Sequence, residues 1–169
     1  KIKQSTMKKI FIILISIGMI SFSCDTPDNS PTVIGFSTGE NGERSDITLE
    51  SDVAEVWVEY LKAHNDRDYA KISEMNSEDI EVWGPAGQYI KGNEAHIEFL
   101  KEWVAATYVK WTPQWFINNT GENTDTGQVN DYVTSGHQMT FTIDGEETIF
   151  YQVHDAVISD GKVINFNVY

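Results

Sequence analysis

From Tyr108 to Tyr169 the apolar residues recur every second position, a period that suits extended backbone with one buried face. Val109, Trp111, Trp115 and Ile117 share one face of a long strand. Pro113 lies among them and cannot donate to a ladder, so it is tolerated there only at an edge or a bulge. Val133, Ser135, His137, Met139, Phe141 and Ile143 share a face of the next strand. Asp144-Gly145 is a hairpin turn, Thr148 to Ile158 returns, and Ser159-Asp160-Gly161 turns into Lys162 to Tyr169.

Upstream the period lengthens. Val53, Val56, Trp57, Tyr60, Leu61 and His64 lie on one face of a helix, with Asp52 and Glu55 as a capping pair. Asn65-Asp66-Arg67 breaks it, and Asp68 caps a second, short helix through Ile72 and Met75. Asp79 to Trp83 and Gln88 to Lys91 form a hairpin around Gly84-Pro85-Ala86-Gly87. Asn93 then caps a third helix with Phe99, Leu100, Trp103 and Val104 on its apolar face. Three helices ahead of long antiparallel strands predict an α+β domain.

Met7 opens a segment with the layout of a signal peptide, and residues 1–6 are set aside as upstream translation or an expression remnant. Lys8 and Lys9 form the positive region, Ile10 to Ile20 the apolar region, and Ser21 and Ser23 the small residues before Cys24. The apolar run is shorter than the roughly 20 residues a bilayer span needs. Residues 7–23 are therefore expected to be removed. Cys24, the single cysteine, falls where a lipobox places the acylated residue. The same Ser-Phe-Ser also fits an ordinary signal peptidase, which would release a soluble protein. A lone cysteine excludes an intramolecular disulfide and a thiolate metal cluster. The expected location is the cell envelope, with a membrane-anchored lipoprotein facing the periplasm or the cell surface.

Removing residues 1–23 takes four lysines and no acidic residue, leaving eight Lys and Arg against 26 Asp and Glu, a net charge of −18. That field repels phosphate backbones, which argues against nucleic-acid partners, and leaves the acyl chain as the route to a membrane. Otherwise the acidity serves solubility. Pro27, Pro31, Gly35, Gly39 and Gly42 among polar residues make 24–48 read as a lipid-anchored flexible linker, with Val33 to Phe36 its one apolar patch. The domain proper is expected over 49–169.

Three segments of that domain carry a family resemblance. Ala63-His64-Asn65-Asp66-Arg67-Asp68, then Ile80-Glu81-Val82-Trp83-Gly84-Pro85 through Gly87, Tyr89 and Gly92, then Ser159-Asp160-Gly161-Lys162-Val163-Ile164 follow in an order and spacing similar to the nuclear-transport-factor-2-like (SnoaL-like) superfamily. The resemblance implies a curved, mainly antiparallel sheet wrapped around three N-terminal helices, making a cone with one apolar pocket. It implies no single activity, because members include ketosteroid isomerases, scytalone dehydratases, limonene-epoxide hydrolases, polyketide cyclases and non-catalytic binding or assembly domains. The epoxide-hydrolase chemistry needs an Asp-Arg-Asp set, whereas the only arginines are Arg44 and Arg67. The cyclases place an aspartate in the last strand, where Asn165 and Asn167 stand.

His154 shares a strand face with Phe150, Gln152, Ala156 and Ile158, so burial inside the cone would lower its pKa and make it a candidate catalytic base. It also reads as a histidine bonded within the sheet or facing solvent. Asp155 points to the opposite face, which argues against a dyad. His137 can meet His154 across a strand pair, and His64 can close the pocket mouth. Each alone also reads as a satisfied core histidine, and together they make no metal signature. His96 reads as a first-turn helix residue. Trp57, Tyr60, Trp83, Trp103 and Tyr151 are candidate pocket aromatics, or simply core. Asn165 and Asn167 share a face with Val163 and Tyr169 in the last strand, where they can orient a ligand or meet water. Three readings follow. The domain binds a small apolar or aromatic molecule without a cofactor, or it is a cofactor-independent isomerase, dehydratase or hydrolase using His154. The third is an assembly module, a homodimer with a filled interior.

Overall fold

A computed structural model describes residues 30–49 and 51–169. The expected leader, Cys24 and the first part of the linker lie outside the described residues. The compact unit runs from Pro31 to Tyr169. Its strands are β1 (Val33–Thr38), β2 (Arg44–Thr48), β3 (Asn76–Trp83), β4 (Tyr89–Lys91), β5 (Lys110–Glu122), β6 (Val129–Ile143), β7 (Glu146–Ser159) and β8 (Lys162–Val168). Its helices are α1 (Ala54–Asp66), α2 (Tyr69–Met75) and α3 (Asn93–Thr107). The strands make one sheet in the order β1-β2-β5-β6-β7-β8-β3-β4. Among the described residues only the β3–β8 pair is parallel. The three helices pack on this curved sheet, which is the α+β architecture expected.

The core lies between the helices and one sheet face. Trp57, Tyr60 and Leu61 of α1 and Leu100 and Val104 of α3 meet Val133, Met139, Ala156, Ile158, Val163 and Phe166 of the sheet, with Val109 just ahead of β5 joining them. The break after α1 is also a clamp. Arg67 takes a left-handed backbone (φ 62°) to end the helix, and its guanidinium donates to the carbonyls of His64 and Val109. Asn65 both donates to the Trp111 carbonyl (2.8 Å) and accepts from the Trp111 N–H (2.9 Å), fixing α1 to the start of β5. Asp68 caps α2 through the Lys71 N–H (2.9 Å), as its position predicts.

Four expectations are corrected. Residues 31–48 do not form a polar tether. They make the β1–β2 hairpin, joined to β5 through Ile47 opposite Gly121 and Thr48 opposite Thr120. Val33, Ile34 and Phe36 stay exposed, so the hairpin rests on backbone pairing and lacks the buried periodicity that would announce it. Val53, with no side-chain cap bond, caps α1 in place of the Asp52–Glu55 pair. Gly92, at φ 95°, occupies the cap of α3, a backbone conformation that suits glycine. Asn93 turns inward instead and donates to Ser73.

The remaining correction concerns strand faces. Pro113 does sit at a bulge, with Pro113 opposite His137 and Trp115 opposite Gly136. The extra residue, Gln114, reverses the alternation, so Phe116 turns in while Trp115 and Ile117 turn out and are exposed. In β8, Val163 pairs with Ile158 but Asn165 with Val157, leaving Ile164 as the extra residue. Phe166 therefore faces in, and Asn165 and Asn167 leave the face of Val163.

Candidate functional site

A cavity of about 530 Å³ opens between the helices and the concave sheet face. Trp57, Tyr60, Leu61 and His64 of α1 and His96, Phe99, Leu100 and Trp103 of α3 form its helical wall. Trp111, Phe141, Phe150, Gln152, His154, Phe166 and Val168 form its sheet wall, and Gly84, Pro85, Gln88, Tyr151 and Tyr169 also border it. None of the described residues lining it is Asp, Glu, Lys or Arg.

Of the residues singled out in the sequence, Trp57, Tyr60, His64, Trp103, Tyr151 and His154 line this space. Tyr151 is 70% exposed and so belongs to the rim. Three do not line it. Trp83 follows the inward Val82 and so turns away, its ring tilted by 37° against that of Tyr89 with 5.3 Å between ring centres. Asn165 is carried to the outer face by the bulge at Ile164. His137 is buried one layer back, its ring centre 4.4 Å from that of His154. His96, read as a mere first-turn residue, is buried and lines the cavity. The missed signal was its spacing: positions 96, 100 and 104 form one helical stripe, buried throughout.

The hydrogen bonds fix which atoms each histidine presents. His64 Nδ1 lies 2.8 Å from the Tyr60 carbonyl, an acceptor only, so Nδ1 carries the proton and Nε2 holds a lone pair. Asn76 is the hub of a second network. Its Oδ1 accepts from the Tyr60 hydroxyl (2.5 Å), and its amide nitrogen donates to Asn93 Oδ1 (2.8 Å) and His96 Nδ1 (3.2 Å). His96 Nδ1 is thereby an acceptor, and its proton sits on Nε2. The indole of Trp57 can only donate, and it does so to Ser135 Oγ (2.9 Å), which in turn lies 2.8 Å from His137 Nε2. His154 donates from Nε2 to Gln152 Oε1 (3.2 Å). The Nδ1 atoms of His137 and His154 are buried without a partner.

Burial holds all four imidazoles in their neutral form. Desolvation lowers His64 to about 4, with the nearby Arg67 charge adding to it and the bond to the Tyr60 carbonyl opposing it. His96 falls to about 3, through burial and then the neighbouring His64. Burial lowers His137 to about 4. His154 lies well below the ordinary range, through burial and then His137 and His64. The Tyr60 phenol is pushed well above its usual value by burial. Among the described residues no cluster of three or more His, Cys, Asp or Glu is placed to hold a metal ion.

The geometry can be set beside known proteins. No protein-family model and no curated protein matches the chain. Solved structures do. A nuclear-transport-factor-2-like protein of unknown function from Burkholderia pseudomallei is similar at 16% identity over 71% of this chain and 91% of its own, with a TM-score of 0.57. TerC co-crystallised with polyporic acid is similar at 20% identity over 70% and 91%, with a TM-score of 0.57. A Mycobacterium tuberculosis protein in complex with estradiol-17beta-hemisuccinate is similar at 15% identity over 71% and 94%, with a TM-score of 0.55. At these identities the likeness is one of fold. The chain has the nuclear-transport-factor-2-like, or SnoaL-like, fold.

Proposed function

We propose that the domain binds a small, neutral, largely apolar molecule in its cavity. The observation that carries this is an unfilled space of about 530 Å³ whose lining contains aromatic and aliphatic side chains and no charged one. That volume falls within the range of about 300–1,000 Å³ typical of small-molecule sites. The fold accommodates small molecules elsewhere, since two neighbours were solved with estradiol-17beta-hemisuccinate and polyporic acid. An ion entering this space would lose its hydration and meet no opposite charge, which favours neutral ligands.

Two features argue against His154 as a catalytic base. Its side-chain partner is Gln152, and its free lone pair, on Nδ1, is buried in the wall without a partner. An open cavity also argues against an assembly module with a filled interior. Trp57, Trp103 and Trp111 border the cavity, so a neutral polycyclic aromatic probe should shift their fluorescence saturably. Leu100→Trp, which fills the space from α3, should weaken that binding at least tenfold while the fold is kept. Unchanged affinity in a folded Leu100→Trp protein would place the ligand elsewhere.

We further propose that Cys24 is lipidated and tethers the domain to the cell envelope. The support is the run of Lys8-Lys9, the apolar Ile10–Ile20 segment and the Ser23-Cys24 junction. A radioactive fatty acid should label the wild type and not Cys24→Ser in a bacterial host; equal labelling contradicts the anchor.

A further inference from the structure

The cavity wall is almost entirely apolar, yet α1 and α3 bring two imidazoles together at one place in it. The His64 and His96 ring centres are 5.9 Å apart, and both rings are buried while lining the cavity. Each has its Nδ1 committed to the protein, His64 to the Tyr60 carbonyl and His96 to the Asn76 amide. Their Nε2 atoms bond no described protein atom and are not among the sealed-off buried polar atoms, so they open on the cavity. The two presented atoms are opposite in kind. His64 Nε2 can only accept in its neutral form, and His96 Nε2–H can only donate.

We propose that His64 and His96 form a seat for one neutral hydroxyl group on an otherwise apolar ligand, an alcohol or a phenol. This deepens the small-molecule reading above and rests on it. The ligand oxygen accepts from His96 Nε2–H while its own hydrogen is donated to His64 Nε2. Two bonds of about 2.8 Å meeting near the tetrahedral angle at that oxygen place the nitrogens about 4.6 Å apart, a span that rings centred 5.9 Å apart can supply. A ketone or ether oxygen accepts from His96 but leaves the His64 lone pair unanswered inside an apolar wall. A carboxylate also lacks the proton that His64 requires and brings a charge the cavity does not balance. Discrimination therefore comes from the unsatisfied partner. A group that must be hydrogen-bonded when buried rejects ligands that cannot do so.

The test uses four matched probes at pH 7 on the purified Pro31–Tyr169 unit and on the longer chain, read by tryptophan fluorescence and calorimetry. They are biphenyl, 4-methoxybiphenyl, 4-hydroxybiphenyl and biphenyl-4-carboxylate. The hydroxyl compound should bind at least about tenfold more tightly than biphenyl and the methoxy compound, and the carboxylate should bind most weakly. In His96→Phe the hydroxyl advantage should vanish while biphenyl still binds, which also certifies that the variant is folded. Equal affinities for the three neutral probes would overturn the seat and leave the apolar cavity reading standing. Tightest binding of the carboxylate would overturn the seat as well. Binding of none of the four would overturn both.

Discussion

The two histidine pairs of this domain are equally buried and wired in opposite senses. In the helix-side pair, His64 and His96, the Nδ1 atoms are held by a backbone carbonyl and an asparagine amide, and the Nε2 atoms open on the cavity. In the sheet-side pair, His137 and His154, the Nε2 atoms are held by Ser135 and Gln152, and the Nδ1 atoms are buried with nothing to bond. Residue type and burial are shared, so they do not assign a role. What distinguishes the pairs is the atom left over and where it points. The helix-side pair turns its remaining nitrogens toward the cavity, and the sheet-side pair keeps its own inside the wall.

The largest expected effect tests what the pairs share. An unfolded imidazole titrates near 6.5, while His64, His96 and His137 fall to about 4, 3 and 4 in the fold. Above about pH 6.5 both states are neutral and these rings cost nothing. As pH falls, the unfolded chain takes up protons that the fold refuses, so stability is lost between about pH 6.5 and 4. Each pH unit separating the folded and unfolded titrations is worth about 1.4 kcal/mol per ring. The three rings together therefore remove on the order of 10 kcal/mol by pH 4, comparable with a whole domain's stability of about 5–15 kcal/mol. Circular dichroism should show cooperative unfolding within that window. A native signal persisting at pH 4 would break the account for both pairs.

A smaller effect separates them. His96→Leu removes the acceptor of the Asn76 amide and should cost about 1–3 kcal/mol at pH 7. His154→Leu removes a ring whose Nδ1 already lacks a partner and should change stability by about 1 kcal/mol or less, in either direction. At about 2–4 °C per kcal/mol, calorimetric melting distinguishes the two. Equal losses would erase the difference in wiring.

Much of this arrangement was legible in the sequence, and the failures have physical causes. The helical stripe of Trp57, Tyr60, Leu61 and His64 and the inward strand face of Val133, Ser135, His137 and Met139 follow from period alone, because each run is buried without interruption. Trp115, Ile117 and Asn165 were misplaced because one inserted residue reverses every later side chain in a strand, and neither Gln114 nor Ile164 marks itself as that residue. The β1–β2 hairpin was invisible because its exposed Val33, Ile34 and Phe36 give no burial pattern to read. His96 was overlooked because a polar residue in a first helical turn is ordinarily solvated. Its acceptor role depends on Asn76, which is 20 residues away and carries no local signal.

The central claim is a statement about protons on eight ring nitrogens, and nitrogen-15 NMR of the imidazoles measures it directly. At pH 7 all four histidines should be neutral, with the proton on Nδ1 in His64 and on Nε2 in His96 and His154. His64 carrying its proton on Nε2, or His96 carrying its own on Nδ1, would contradict the account, because the cavity would no longer present one acceptor and one donor.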